Sequence, residues 1–541
     1  MSEHGPTRDQ LEHLFARRLI SRRDLIAALA GIGIGASGLE LLVGTEPIAD
    51  VQAAGTGHPL GATSDLHLLL IVMDGFRADY ATLAPMHHLR SLIARGMSYD
   101  TAWVGHLESE TPTGHATIAT GVYPRKHGVI GFGWRTSPGS FNFMPTDLRQ
   151  IRAGALTTTI AGGGVPTISD LIHGRNRKDV TVSMSGEKYY ASATMGAGAD
   201  FVFYGKDFGN TFRPVPINAN VPPASSHYTS ITGDSSFYTQ DHFVSDLAVA
   251  MVRSLRPRAM LVNLPDPDIA GHYFGGMIAP HNMTSIIKGT DYAIGRILGE
   301  YQRQGLLDKT LIVVTADHGM AGNRHIVPIH PIYDEVRQGT AGSLDEELRI
   351  SMGSIWLKNP QEDNKLAAAL VAKRFSGVEG ALYKVASGGG FSFEPDPTTA
   401  AALPQSLVEA YRRLADTEAS PAGPDVILPY REDTMGLTVK KQEHWGTHGG
   451  LSWGVQHIPM ILAGPGVRHG VSHFPAKLVD VAPTIERLLG LPIPTGVDGV
   501  ILADALRTAS AAERSSQTAV HDERLADVKA LQAHSQAQSR Q

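Results

Sequence analysis

Three features of the sequence predict an α/β fold: a mostly parallel central sheet with helices on both faces and an inserted smaller subdomain. Short, nearly continuous apolar runs alternate with longer helical patterns, as expected for strands buried on both faces and joined by helical crossovers. Two of these runs close on Asp74-Gly75 and Asp317-His318-Gly319, and open α/β sheets gather ligands at the carboxyl ends of their strands. Between residues 320 and 441 the alternation loosens and then returns, which reads as an insertion.

Residues 1–53 stand apart from the fold. Arg22-Arg23 precedes a moderately apolar run from Ala27 to Val43, and small residues follow near Val51-Gln52-Ala53-Ala54. This is similar to a twin-arginine export signal. The run is short and glycine-diluted for a membrane span. The expected localisation is therefore periplasmic or secreted, by way of the twin-arginine machinery.

A catalytic domain is expected over residues 64–500. It opens with the strand Leu66–Met73, followed by a loop and the helix Met86–Arg95. Next comes Glu108–Gly128, where Thr111-Pro112-Thr113-Gly114 stands at the mouth of a helix from about His115 to Thr120. A strand at Val180–Ser183 precedes Lys188, and His242–Leu255 reads as a helix. The strand Ala259–Leu264 leads into Asp266, Asp268 and His272; Thr284–Gln304 has helical apolar spacing. Thr310–Val314 is the strand before Asp317. Within the insertion, Asp345–Leu357 and Lys365–Arg374 are the clearest ordered pieces. After it come His448, the strand Pro459–Leu462 and the helix Lys477–Leu489, with Pro483 in its first turn. The tail, residues 502–541, is rich in Ala, Gln and Ser and reads as helical.

Composition narrows the chemistry. The 541 residues carry a net charge of −6, which leaves no basic patch for nucleic acid. Cysteine is absent and histidine numbers 24, so a metal would have to be held by imidazole and carboxylate. A lone Asp at a strand end is usually a helix cap, and a lone His is usually a satisfied polar residue. Here Asp74, Asp268 with His272, Asp317 with His318, and His448 are all expected at strand ends facing one crevice. Such a set suits zinc, with other divalent metals possible, and suffices for two ions about 4 Å apart that clamp an in-line phosphoryl displacement. Thr111, at a helix N-terminus that favours an anion, is the candidate nucleophile.

The motifs MDGFRADY, ETPTGHATIATGVYPRKHG, PDIAGH, TADHGM and GTHGG occur in an order that resembles the alkaline phosphatase superfamily, in its nucleotide pyrophosphatase/phosphodiesterase branch with a Thr nucleophile. The resemblance implies that Asp74, Asp317 and His318 hold one zinc, which also binds Thr111. Asp268, His272 and His448 would hold the other, which serves the attacking water; Asp266 competes with Asp268 for that role. It also implies a small-molecule phosphate ester substrate and a phospho-threonine intermediate. Two positions depart from the pattern. Phe132 stands where the phosphodiesterases place Asn, and Tyr190 stands where monoesterases place the Arg of a Lys-x-Arg pair begun here by Lys188. With Phe132, Lys188 and Tyr190 as the substrate-binding residues, diesters are expected to be preferred. The alternatives on the same scaffold are a phosphomonoesterase, a phosphonate hydrolase or a metal-binding homologue without catalysis.

Overall fold

A computed structural model describes residues 65–539 apart from 138–139, 143, 208–210, 219, 221–230, 233–238, 340–352, 359 and 438–444. Residues 1–53, where an export signal is expected, and most of the expected ordered piece at 345–357 lie outside the described residues. A ten-stranded sheet forms the core. Its strands in chain order are β1 (His67–Met73), β2 (Met97–Tyr99), β3 (Thr181–Ser185), β4 (Phe201–Asp207), β5 (Thr211–Pro216), β6 (Ile231–Thr232), β7 (Ala259–Leu264), β8 (Thr310–Thr315), β9 (Met460–Ala463) and β10 (Gly470–Ser472). Across the sheet they run β10-β2-β9-β8-β1-β7-β3-β4-β5-β6. The block from β8 to β4 is parallel throughout, whereas β9 and β5 run against their neighbours. The mostly parallel α/β architecture flanked by helices is as the apolar runs predict.

Register is what makes the crevice. Val72 on β1 lies beside both Asn263 on β7 and Thr315 on β8, so these three central strands end level with one another. Asp74, the segment after Leu264 and Asp317 therefore leave the sheet side by side. Leu68 to Met73 are wholly buried, consistent with a strand packed on both faces.

The helices include α1 (His87–Arg95), α2 (Thr111–Thr120), α3 (Tyr189–Met195), α4 (Thr239–Leu255), α5 (Asp266–Phe274), α6 (Pro280–Arg303) and α8 (Val481–Leu489) around the central sheet, α7 (Gln405–Asp416) beside the second sheet described below, and α9 (Ala511–Gln538). Helix α2 starts four residues earlier than the sequence suggests. Pro112 sits in its first turn, where a missing N–H costs nothing, so the Thr-Pro-Thr-Gly stretch is helix rather than an approach to one.

Residues after 320 build a second, four-stranded antiparallel sheet from Gly353–Ile355, Val426–Leu428, Leu382–Ser387 and Gly390–Pro395. It has its own apolar cluster, with Ile355, Leu357, Ala368, Ala372, Val426 and Leu428 among its members. Helix α9 lies against both units. Arg524 donates to both oxygens of Asp480, which precedes α8, at 2.6 and 3.1 Å. Arg413 of α7 pairs with Asp527, and His534 reaches Glu379 at 2.7 Å.

Candidate active site

Two glycines let the chain close in around the crevice. After β1 the chain turns at Gly75, whose φ is +65° and where a Cβ would fall 2.7 Å from the Asp268 Cα. Only glycine tolerates both. The Gly75 and His318 N–H groups both donate to Asp317 Oδ1, at 3.1 and 3.0 Å, which leaves Oδ2 facing the crevice. At Gly114 a Cβ would lie 2.7 Å from the Asp317 carbonyl oxygen, so α2 can press its first turn onto the end of β8.

Thr111 is buried and its Oγ sits amid the expected ligands. It lies 3.4 Å from Asp74 Oδ1, 3.3 Å from His318 Nε2 and 3.4 Å from Lys188 Nζ. Thr113 is otherwise engaged, its Oγ accepting the Gly131 N–H at 2.7 Å. The Lys188 ammonium bridges the crevice, donating to Asp74 Oδ1 at 2.7 Å and Asp268 Oδ2 at 2.5 Å. Burial alone would lower its pKa, but Asp268 and Asp74 hold it well above the usual lysine value. Burial, then the Asp317 charge, push the Asp74 carboxyl up to about 6. Burial would also raise Asp268, yet the Lys188 ammonium above all holds it well below the usual carboxylate range.

His318 Nε2 is 3.4 Å from Asp317 and 3.6 Å from Asp74, against 4.0 Å from Asp268. His272 Nε2 and His448 Nε2 each lie 3.4 Å from Asp268. Asp268 and His272 stand one turn apart on α5. Asp266 points elsewhere: its Oδ2 accepts the Asp241 N–H, and its own N–H donates to Asp241 Oδ1, both at 3.0 Å. His448 corrects one expectation. It does not end a strand of the central sheet, but follows the short strand Gly446–Thr447, which pairs with Ala321–Gly322. That ribbon carries it over the crevice, stacked on His318 with ring centroids 3.6 Å apart.

The donor set fits divalent metal. His272, His318 and His448 each give Nδ1–H to a backbone carbonyl, those of Gly446, Gly319 and Ser109, at 2.9, 2.9 and 3.0 Å. A carbonyl only accepts, so each Nε2 is left as a lone pair, the arrangement that orients metal-ligating histidines. Burial keeps the His272 and His448 rings below their ordinary pKa, and hence neutral. These lone pairs face carboxylates, and the buried Asp268 Oδ1 and Asp317 Oδ2 accept no hydrogen bond from the described residues. Electron-rich groups at such distances repel unless cations lie among them.

Two residues that sequence reasoning missed complete the site. His115 lies within ligand distance of Asp74 and Asp317, but both its nitrogens are engaged. Nδ1 donates to the Thr111 carbonyl at 2.8 Å, and Nε2 receives Asn263 Nδ2 at 3.0 Å. Asn263 Nδ2 also donates to Asp74 Oδ2 at 2.8 Å. A polar residue wholly buried in the apolar run AMLVNL was the signal for it.

Phe132 and Tyr190 meet edge to face at 5.0 Å, and the Phe132 N–H donates to Glu110, the residue before Thr111. On the far side, a small surface cleft of about 20 Å³ adjoins His448, lined by Tyr430, Asp433, Thr434, Thr447 and Ser452 among others.

Comparison with known proteins follows the same lines. The profile of the type I phosphodiesterase / nucleotide pyrophosphatase family matches residues 68–450. Bis(5'-adenosyl)-triphosphatase enpp4 of Mus musculus is 25% identical over 47% of this chain. The alignment covers 47% of that relative, so the chain spans about half the length of the enpp4-type proteins it matches. Alkaline phosphatase PhoK of a Sphingomonas species is 21% identical over 81% of this chain and 91% of its own. Among solved structures, alkaline phosphatase PafA superposes with a TM-score of 0.64 at 15% identity, over 83% of this chain and all of that one. Murine ectonucleotide pyrophosphatase/phosphodiesterase 5 does so with a TM-score of 0.55 at 14% identity, over 80% and 97%. At these identities the superpositions establish the fold.

Proposed function

The chain belongs to the type I phosphodiesterase / nucleotide pyrophosphatase family, and on that premise we propose that it is an exported, two-zinc phosphoric ester hydrolase that works through phosphorylated Thr111 and prefers diesters. One observation carries the reading: the Thr111 hydroxyl, at the start of α2, lies within 3.4 Å of an Asp74 oxygen, the His318 Nε2 and the Lys188 ammonium.

Asp74, Asp317 and His318 would hold one ion beside Thr111, and Asp268, His272 and His448 the other. When bound, divalent ions would make the hydroxyl and then water nucleophilic at neutral pH and neutralise charge on the attacking and leaving oxygens. The chain's own groups do the rest. The start of α2 presents partial positive charge to the phosphoryl group. Thr111 gives up its proton as its Oγ–P bond forms and the ester P–O bond breaks, and the departing alkoxide gains a proton. Water then attacks phosphorus, the Oγ–P bond breaks and Thr111 recovers its hydroxyl. Two in-line displacements give net retention. Lys188 places a cation beside the reacting oxygen throughout.

Diester preference rests on what surrounds Lys188. Tyr190 and Phe132 form an aromatic edge where a monoester dianion would want another cation or donor. A missing charge-assisted hydrogen bond costs about 1.5–3 kcal/mol, roughly tenfold to a hundredfold in rate. A diester has one charge fewer, and its second substituent gains contact with that edge. Tyr430, Asp433 and Thr434 line a small cleft together with His448, so residues 320–441 reach the rim of the crevice and would contact a bound ester there. The test is kcat/KM for an aryl phosphate diester against the matching monoester on zinc-loaded protein. Diesters should win, and Lys188→Ala should lower monoester turnover more. A monoester preference untouched by Lys188→Ala would move the chain to the phosphatase side, where PhoK is named. The export part rests on Arg22-Arg23. No helix among the described residues is long and apolar enough to cross a membrane.

A further inference from the structure

Asn263 is wholly buried and every polar atom of its side chain is used. Its Oδ1 accepts the Ser185 hydroxyl at 2.7 Å. Because the other end faces the Asp74 carboxylate, which only accepts, the amide is oriented with Nδ2 towards Asp74, and the Ser185 hydroxyl donates to Oδ1. Nδ2 donates both to Asp74 Oδ2, at 2.8 Å, and to His115 Nε2, at 3.0 Å. Receiving that hydrogen fixes the proton of His115 on Nδ1, which donates to the Thr111 carbonyl at 2.8 Å and stands 3.3 Å from Asp317 Oδ2. One amide thus ties the two carboxylates on the Thr111 side of the crevice to the backbone of Thr111 itself.

We infer that Asn263 and His115 form a positioning relay, in which Asn263 aims Asp74 Oδ1 into the crevice and sets the His115 tautomer that holds Thr111, with His115 not a metal ligand. The inference rests on the proposed hydrolase reading. Its physical basis is that a carboxylate with one oxygen tied down offers the other in a fixed direction. An imidazole with both nitrogens engaged has no lone pair left to give. Outer partners of this kind are worth about 10–100-fold in metal affinity or activity.

The experiment uses the full chain with zinc or cobalt. Asn263→Ala, and Asn263→Asp of nearly the same shape, should each weaken one of two metal-binding steps about 10–100-fold, measured by competition with a chromophoric chelator, and leave the other unchanged. The kcat for a diester should fall by a similar factor while KM stays within about threefold. His115→Asn, which keeps a donor for the Thr111 carbonyl, should recover part of the kcat lost in His115→Ala, and both should still bind two metals. Unchanged metal affinities and kcat in both Asn263 variants, with only a lower Tm, would reduce the pair to a structural role and overturn the inference. So would loss of a whole metal equivalent in His115→Asn, which would make His115 a ligand. A wild-type protein that binds two metals but cleaves no phosphate ester would instead refute the proposed function, and the metal-affinity arm would still judge the relay.

Discussion

The crevice and the seam under α9 both bury charge, and they treat it in opposite ways. In the seam under α9, each oxygen of Asp480 has two partners. Oδ1 accepts from Val500 N–H and Arg524, and Oδ2 accepts from Lys477 N–H and Arg524. In the crevice, Asp268 Oδ1 and Asp317 Oδ2 accept nothing, and three imidazole lone pairs face carboxylates. Buried polar groups are normally satisfied, so the exceptions carry information. In the seam, complete pairing builds architecture; in the crevice, unpaired ligand atoms converge where a metal would fit.

The contrast can be tested most severely at Thr111, which belongs to the crevice but is no structural keystone. Thr111→Ala should cut diester turnover by about a thousandfold or more, with metal content and Tm nearly unchanged. Thr113→Ala should cost far less turnover, although its loss frees the Gly131 N–H. If Thr113 proves the irreplaceable residue, the crevice has been read around the wrong hydroxyl.

The next effect separates the regions directly. Arg524→Met strips Asp480 of its counter-ion and should destabilise the protein by about 3–5 kcal/mol, seen in chemical unfolding, while zinc stoichiometry stays the same. His448→Ala should do the reverse, losing about one zinc of two with a small change in metal-free stability. Should Arg524→Met also strip metal, seam and crevice are one cooperative unit and the distinction fails.

A smaller effect concerns Glu486 on α8, a third kind of buried charge. Neither of its oxygens has a hydrogen-bond partner among the described residues, and burial pushes its carboxyl up to about 8. A folded-state pKa above the unfolded one means stability is full below the unfolded value of 4.5 and is lost as pH rises to about 8. Glu486→Gln should therefore match wild type near pH 4.5 and melt a few degrees higher at pH 8. Equal Tm values at both would show that Glu486 finds a partner after all.

Much of this was legible in the sequence because it was local. Asp74 and Asp317 follow apolar runs, and the spacing of Asp268 and His272 is one helical turn whatever surrounds it. What stayed hidden was tertiary. The start of α2 is set by Gly114 packing on Asp317 and by Pro112 suiting a first turn. His448 reaches the crevice on a ribbon whose two strands flank the whole insertion. Strand Gly353–Ile355 pairs with Val426–Leu428 across a long stretch of chain. Asn263 looks like a blemish in a strand until its neighbours are known. In the tail, Ala and Gln masked Arg524 and Asp527, whose importance lies in what they face.

Helix α9 also has a consequence in time. It follows both partners that it joins, Arg413 and Glu379 in the inserted unit and Asp480 in the core. During synthesis the crevice residues, the last of which is His448, leave the ribosome before Arg524 and Asp527 exist. A nascent chain can thus hold all the crevice side chains while its two units are still unclasped, exposing Asp480 and the apolar faces that α9 covers. That interval is when a chaperone would find most to hold.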